Sequence, residues 1–277
     1  MKEMVYEHFN SIGSMINALR TRPENSVFKG KELSSKNNDY SFNLTHSLDE
    51  AFDLCQNGWD EKLNEVKAQF AAATRPNRNG TIDRRRTYNH VVGYAPNVPN
   101  AILGLPQSMI TTDKQPQKVK VASIVYSPTG LCDVTADDLI KAGIIVLNIV
   151  NQLELNGIRV NLVLQPKGSS ADHQGTAMLV DVKSYRDPLD LRKLCFPLIH
   201  PSFFRRLGFR WLETVPGLTD TSYACGYGHT TTGRDGYKEE LVKAGAISEN
   251  DYYLSYYIIE QCKFDRDAVM KAAGITI

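Results

Sequence analysis

The sequence predicts an α/β fold, and three observations carry that prediction. Val119–Tyr126 reads as a buried strand, ended by Ser127-Pro128-Thr129-Gly130. A long apolar-periodic segment from Leu139 to about Leu155 follows, opened by Thr135-Ala136-Asp137-Asp138 and closed by Asn156-Gly157. Two further strand patterns, Ile158–Leu164 and Thr176–Tyr185, are joined by a polar connection from Pro166 to Gly175. A strand, a long helix and a strand imply a right-handed crossover to a parallel neighbour, whereas a short polar connection implies an antiparallel hairpin.

Taken in order, the chain begins with a mildly amphipathic segment, Met4–Leu19, read as a short helix, and a polar linker, Arg20–Tyr40. Ser47 and Glu50 form a capping box, in which the hydroxyl accepts an orphan amide and the carboxylate reaches back. The helix they open carries Leu48, Phe52, Leu54 and Cys55 on one face and stops at Gly58. Trp59 leads a second helix through Leu63, Val66 and Phe70 to Ala73. Residues 93–109 hold Pro96, Pro99 and Pro106, so they are expected to be packed irregular coil. After the hairpin, Asp187-Pro188-Leu189-Asp190 opens a helical stretch through Leu194 to Ile199. His200-Pro201 interrupts it, and Ser202–Leu207 restarts it. Two late helices are expected, at Lys238–Ala244 and Glu249–Cys262. The expected division is a helical and irregular region, 1–115, before an α/β domain, 116–277.

Composition narrows the function classes without choosing one. The 277 residues are 42% hydrophobic and 23% charged, which excludes a largely disordered, collagen-like or disulfide-knotted chain. Thirty-two basic against 31 acidic residues provide no global field for nucleic acid or an anionic membrane. Cys55, Cys132, Cys195, Cys225 and Cys262 are dispersed and odd in number, as in a reducing cytoplasm. The longest apolar stretch, Ala142–Val150, is too short to span a bilayer, so no membrane partner is expected.

The order of strand, long helix, Asn-Gly, strand, hairpin, strand and helix resembles the core of von Willebrand factor A-like domains. That resemblance implies a Rossmann-like sheet with one antiparallel edge strand. Such domains often hold a divalent ion through an Asp-x-Ser-x-Ser loop. Here Ser127 and Thr129 match the hydroxyl positions, but Val125 stands where the carboxylate belongs, so no metal site is expected. The segments SLDEAFDLCQNGWDE, GYAPNVPNAILGLPQSM and HPSFFRRLGFRWLE, together with the strand–helix–strand core, resemble an uncharacterised family carried mostly by bacteriophages and prophages. This second resemblance implies a phage origin and a two-part build, and no reaction.

Four groups of residues are candidates for function. Arg75, Arg78, Arg84, Arg85 and Arg86 could track a phosphate backbone, with Asp83 the one acid among them. His200, Arg205 and Arg206 combine a base with anion-binding guanidinium groups, though the flanking phenylalanines suit a structural role equally. Cys225-Gly226-Tyr227-Gly228-His229 places a thiol near an imidazole, yet the glycines fit a turn better. Tyr252, Tyr253, Tyr256 and Tyr257 would crowd one side of a helix as an interface. There is no His-x-x-x-His spacing, P-loop or dinucleotide fingerprint, so no cofactor is implied.

These readings predict a non-enzymatic protein acting through an unidentified phage or host partner, with Ser127, Thr129 and the four tyrosines in contact. The alternative is nucleic-acid binding or processing through Arg75–Arg86, with His200, Arg205 and Arg206 as further anion contacts. A third reading is a hydrolase or transferase built from Ser127, Thr129 and His200.

Overall fold

The computed structural model describes residues 4–30, 32–72, 85–114, 120–129, 134–169, 175–219 and 237–276. The chain divides into two compact units: Met1–Thr74 with Val121–Ile277, and Arg75–Lys120. The cut expected near residue 115 does not coincide with these units, because the first residues supply a strand to the main sheet.

That sheet is made of β1 (Val5–Phe9), β5 (Lys120–Ser127), β6 (Ile158–Ser169), β7 (Thr176–Lys183) and β8 (Tyr252–Ser255). Their order is β1-β7-β6-β5-β8. The pairs β1/β7 and β5/β8 are parallel, and β6/β7 is antiparallel. The fold is therefore α/β, with a mostly parallel sheet and one antiparallel pairing. The expected edge position of the antiparallel strand is corrected, since β1 lies outside β7 and the edges are β1 and β8.

Met4–Leu19 is not one helix. Val5–Phe9 aligns with Thr176–Val180, and only then does Ser11 cap α1 (Ile12–Thr21), accepting from the Ser14 amide at 3.1 Å. Glu7 can face inward on β1 because Arg22 grips it with two bonds, 2.7 and 2.6 Å, and Trp211 Nε1 donates to it at 2.9 Å. Five residues are too few to show a period, so the pairing partner decides.

The expected capping box is half made, since the Glu50 carboxylate accepts from the His46 amide at 2.5 Å and not from that of Ser47. Ser47 accepts from the Glu50 amide at 3.0 Å and opens α3 (Leu48–Asn57), after the short α2 (Tyr40–Asn43) and before α4 (Leu63–Ala72). Thr135 caps α6 (Ala136–Leu155), which crosses from β5 to β6. α7 (Leu191–Ile199) packs so tightly on α6 that a Cβ on Gly143 would stand 2.1 Å from the Leu198 carbonyl oxygen. Glycine in mid-helix costs roughly 1 kcal/mol relative to alanine, and this close approach requires it. A π-helical segment, Phe203–Gly208, runs into α8 (Phe209–Thr214).

One sheet face joins these helices in the main core through Ile124, Tyr126, Leu162, Leu164, Met178 and Val180. On the other face, α9 (Tyr237–Lys243) sets Tyr237 and Leu241 against Ala177 and Leu179. The helix expected over Glu249–Cys262 is instead β8 followed by α10 (Tyr256–Gln261), with Ser255 as the cap, and α11 (Arg266–Ala272) comes after it. Pairing of Tyr252–Ser255 with Ile124–Ser127 satisfies backbone groups that a helix would otherwise use.

The smaller unit holds β2 (Arg85–His90), β3 (Ala95–Pro96), α5 (Val98–Ile102) and β4 (Met109–Lys114), with the antiparallel sheet order β2-β4-β3. Irregular coil was expected over 93–109. The prolines fit regular structure here because Pro96 lies on a two-residue edge strand and Pro99 in the first turn of α5. Among the described residues, no helix is long and apolar enough to cross a membrane.

Candidate interaction surface

Ser127 and Thr129 are buried, with their hydroxyl oxygens 2.7 Å apart. Ser127 bonds the Tyr253 hydroxyl, which donates to Gln165 Oε1 at 2.9 Å. Gln165 Nε2 donates to the Tyr237 hydroxyl at 3.0 Å, and Tyr237 donates to the Thr176 carbonyl at 3.1 Å. The result is a continuous hydrogen-bonded chain under α9, and burial pushes the Tyr253 pKa up. Such a chain rigidifies a core, since every member has a partner in a low-dielectric setting.

Tyr256 is buried as well and donates to Glu260 Oε1 at 3.3 Å, Tyr252 is half-buried, and Tyr257 is 38% exposed. The surface expected from Ser127, Thr129, Tyr252, Tyr253, Tyr256 and Tyr257 is therefore not one surface. A strand-to-helix break at Ser255 sends the tyrosines in different directions.

His200, Arg205 and Arg206 are likewise internal. His200 sits edge-on to Trp59 at 4.6 Å and stacks on Phe196 at 4.8 Å. Its Nδ1 accepts from the Ser202 amide at 3.1 Å, the ring also bonds the Leu44 backbone, and burial lowers its pKa to about 4. Both ring nitrogens are thus engaged by backbone groups inside the helix layer.

Arg206 donates to Thr45 Oγ1 at 2.6 Å, the Thr45 carbonyl at 2.7 Å and the Ser35 carbonyl at 3.0 Å. Arg205 donates to the carbonyls of Phe42 and Val134, lies 3.9 Å above the Phe42 ring, and is lowered by burial to a pKa of about 10. Both arginines clamp the segment around residues 35–45 to the helix layer. Neither offers a guanidinium to a phosphate.

Arg85 and Arg86 begin β2, while Arg75, Arg78 and Arg84 lie outside the described residues. Cys132, His173 and the Cys225–His229 turn also lie outside them. Cys55 and Cys195 are buried free thiols, and burial raises both, Cys195 to about 11, so neither is an activated nucleophile. No group of three His, Cys, Asp or Glu suited to a metal occurs among the described residues.

The exposed chemistry is in the smaller unit. Val91, Val92, Tyr94, Val98, Ile102, Leu103 and Leu105 are 46% to 80% exposed, all within fifteen residues. Val98 and Ile102, four apart on α5, present one apolar stripe to solvent. The polar side chains take the internal bonds instead: Asn97 Nδ2 donates to Asn89 Oδ1 at 3.0 Å and Asn100 Nδ2 to the Gln107 carbonyl at 3.1 Å. Gly93 lets this segment close on β4, since a Cβ there would lie 2.1 Å from the Ile110 carbonyl oxygen.

Charge separates in the same way. Residues 75–120 contain eight Lys and Arg against two Asp, a net +6, which leaves −5 for the rest of a chain whose total is +1. The arginines are visible in the sequence, whereas the prolines among the apolar residues imply a packed coil. The available signal was a run of large apolar residues with neither a helical nor a strand period.

A mostly parallel α/β sheet unit, carried with a small basic antiparallel module that exposes apolar side chains, is the class defined by these features. The chain belongs to the family described as a domain of unknown function, DUF7192, whose model matches residues 2–276. No curated protein and no solved structure matches it.

Proposed function

We propose that the protein is a non-enzymatic interaction protein that docks on another protein through the smaller unit. The observation that carries this reading is the exposed cluster Val91–Leu105. Singly exposed apolar residues are ordinary, but seven of them within fifteen residues favour a contact surface. The net +6 of the unit selects a partner whose apolar groove is rimmed with acids. The resemblance of SLDEAFDLCQNGWDE and HPSFFRRLGFRWLE to phage-borne sequences supports a phage or prophage origin, and with it a partner in the host cytoplasm. The β5–α6–β6 order supports a von Willebrand A-like scaffold, in which Val125 in place of the carboxylate favours contact without an ion.

A second reading is nucleic-acid binding, supported by the same charge and by Arg85, Arg86, Tyr88 and His90 on one strand. Affinity capture from lysogenic cells with the wild-type chain and with an Ile102→Asp, Leu103→Asp variant separates the two. The interaction reading expects a stoichiometric protein retained at high salt by the wild type and lost with the variant at unchanged melting temperature. The nucleic-acid reading expects binding of a DNA or RNA oligomer that falls steeply with salt and ignores the variant.

A further inference from the structure

Among the described residues, α9 covers one end of the second face of the main sheet. At the other end lies an open groove of about 660 Å³. Its floor comes from four neighbouring strands: His8 of β1, Asp181 of β7, Asn161 of β6 and Ser123 of β5. A mostly parallel sheet ordinarily places apolar residues under helices on both faces. Here polar side chains stand on the floor beside Val163, and their hydrogen-bonding capacity is only partly used.

His8 Nε2 lies 2.7 Å from Asp181 Oδ1, which leaves His8 Nδ1 and Asp181 Oδ2 without partners among the described residues. The Asp181 hydrogen bond raises the His8 pKa, and Nδ1 is left to accept from the neutral ring or to donate from the protonated one. Asn161 Oδ1 accepts the Tyr185 amide at 2.6 Å, which leaves its amide hydrogens to the groove. The Ser123 hydroxyl has no protein partner among the described residues.

The charges limit what can enter. Lys183 spends its ammonium on Glu154 at 2.7 Å, and His8 is matched by Asp181. Asp187 and Asp251 stand at the rim, each accepting one backbone amide, from Ser184 at 3.2 Å and Ser248 at 2.8 Å. The two carboxylates at the rim, Asp187 and Asp251, therefore disfavour phosphates and carboxylic acids. Donors and acceptors both stand on the floor, and a hydroxyl group, which donates and accepts at once, fits between an imidazole nitrogen and a carboxylate oxygen.

Ser123 and His8 do not act as a nucleophile–base pair. Ser123 is three strand spacings from His8, about 14 Å, beyond proton transfer. The volume lies within the range of roughly 300–1,000 Å³ typical of small-ligand sites. We propose that the groove binds a neutral saccharide, its hydroxyls bridging the His8–Asp181 pair, Asn161 and Ser123.

The test is NMR titration of the full chain with maltose, cellobiose, lactose and chitobiose, each up to about 20 mM, enough to register millimolar affinity. The expected result is saturable perturbation around His8, Asn161 and Ser123 by at least one of them. Ser123→Ala and Asn161→Asp, the latter keeping the acceptor for Tyr185, each weaken it about tenfold without moving the melting temperature. No saturable change with any of the four, or equal binding by wild type and both variants, overturns the proposal. Saturation of the same residues by spermidine, with none by the sugars, also overturns it and assigns the groove to cations.

Discussion

The two units treat the same residue types in opposite ways. In the sheet unit even Arg206, Lys183 and Glu213 are buried, at 0%, 5% and 0% exposure, each with polar contacts. In the smaller unit Ile102 and Leu103 are 80% and 72% exposed. A large unit has enough interior to bury polar groups and satisfy them, whereas forty-six residues have little interior to offer. The difference teaches that the stability and the contacts of this protein belong to different stretches of chain.

Removing a buried charge should break that contrast most severely. Lys183→Ala leaves Glu154 and the Val160 carbonyl without the ammonium they share, at 2.7 and 3.1 Å, and is expected to cost about 3 kcal/mol, the low end for a broken buried pair because Arg159 still holds Glu154 at 2.7 Å. The midpoint of denaturant unfolding measures it, and a loss below about 1 kcal/mol would show that solvent reaches the pair.

The next largest effect is a pH step from His200. Burial depresses its folded pKa to about 4, so the neutral ring stabilises the fold above its ordinary unfolded value. That contribution, on the order of 3 kcal/mol, should be lost as pH falls from about 6.5 to about 4. His200→Gln should flatten this part of the stability-against-pH curve. An unchanged curve in the variant assigns acid lability to the carboxylates instead.

The smallest effect sharpens the comparison from the other side. Ile102→Ala with Leu103→Ala should change unfolding free energy by no more than about 0.5 kcal/mol, since neither side chain is buried. A clear loss of stability in a thermal melt would mean that these residues support the fold.

Much of the larger unit could be read directly. The capped helices at Ser47 and Thr135, the β5–α6–β6 order and the hairpin follow from local rules, because caps and periods act over a few neighbouring residues. β1 and β8 could not be read. Each has four or five residues, and each is a strand because a partner in the sheet lies beside it. Ser127, Tyr253 and His200 looked like chemistry and turned out to be internal, since sequence shows a residue's type and not its depth. The clamp made by Arg205 and Arg206 joins positions more than 160 apart in the chain, a separation that no motif spans.

The amino-acid order alone determined the α/β class, the long helix, the dispersed cysteines and the basic stretch, all properties of local pattern or composition. The tertiary structure decided which apolar residues stay wet, where the sheet ends and which polar groups share a groove. Those outcomes depend on long-range pairing and on the limited interior available to each unit, and neither is written in any single stretch of chain.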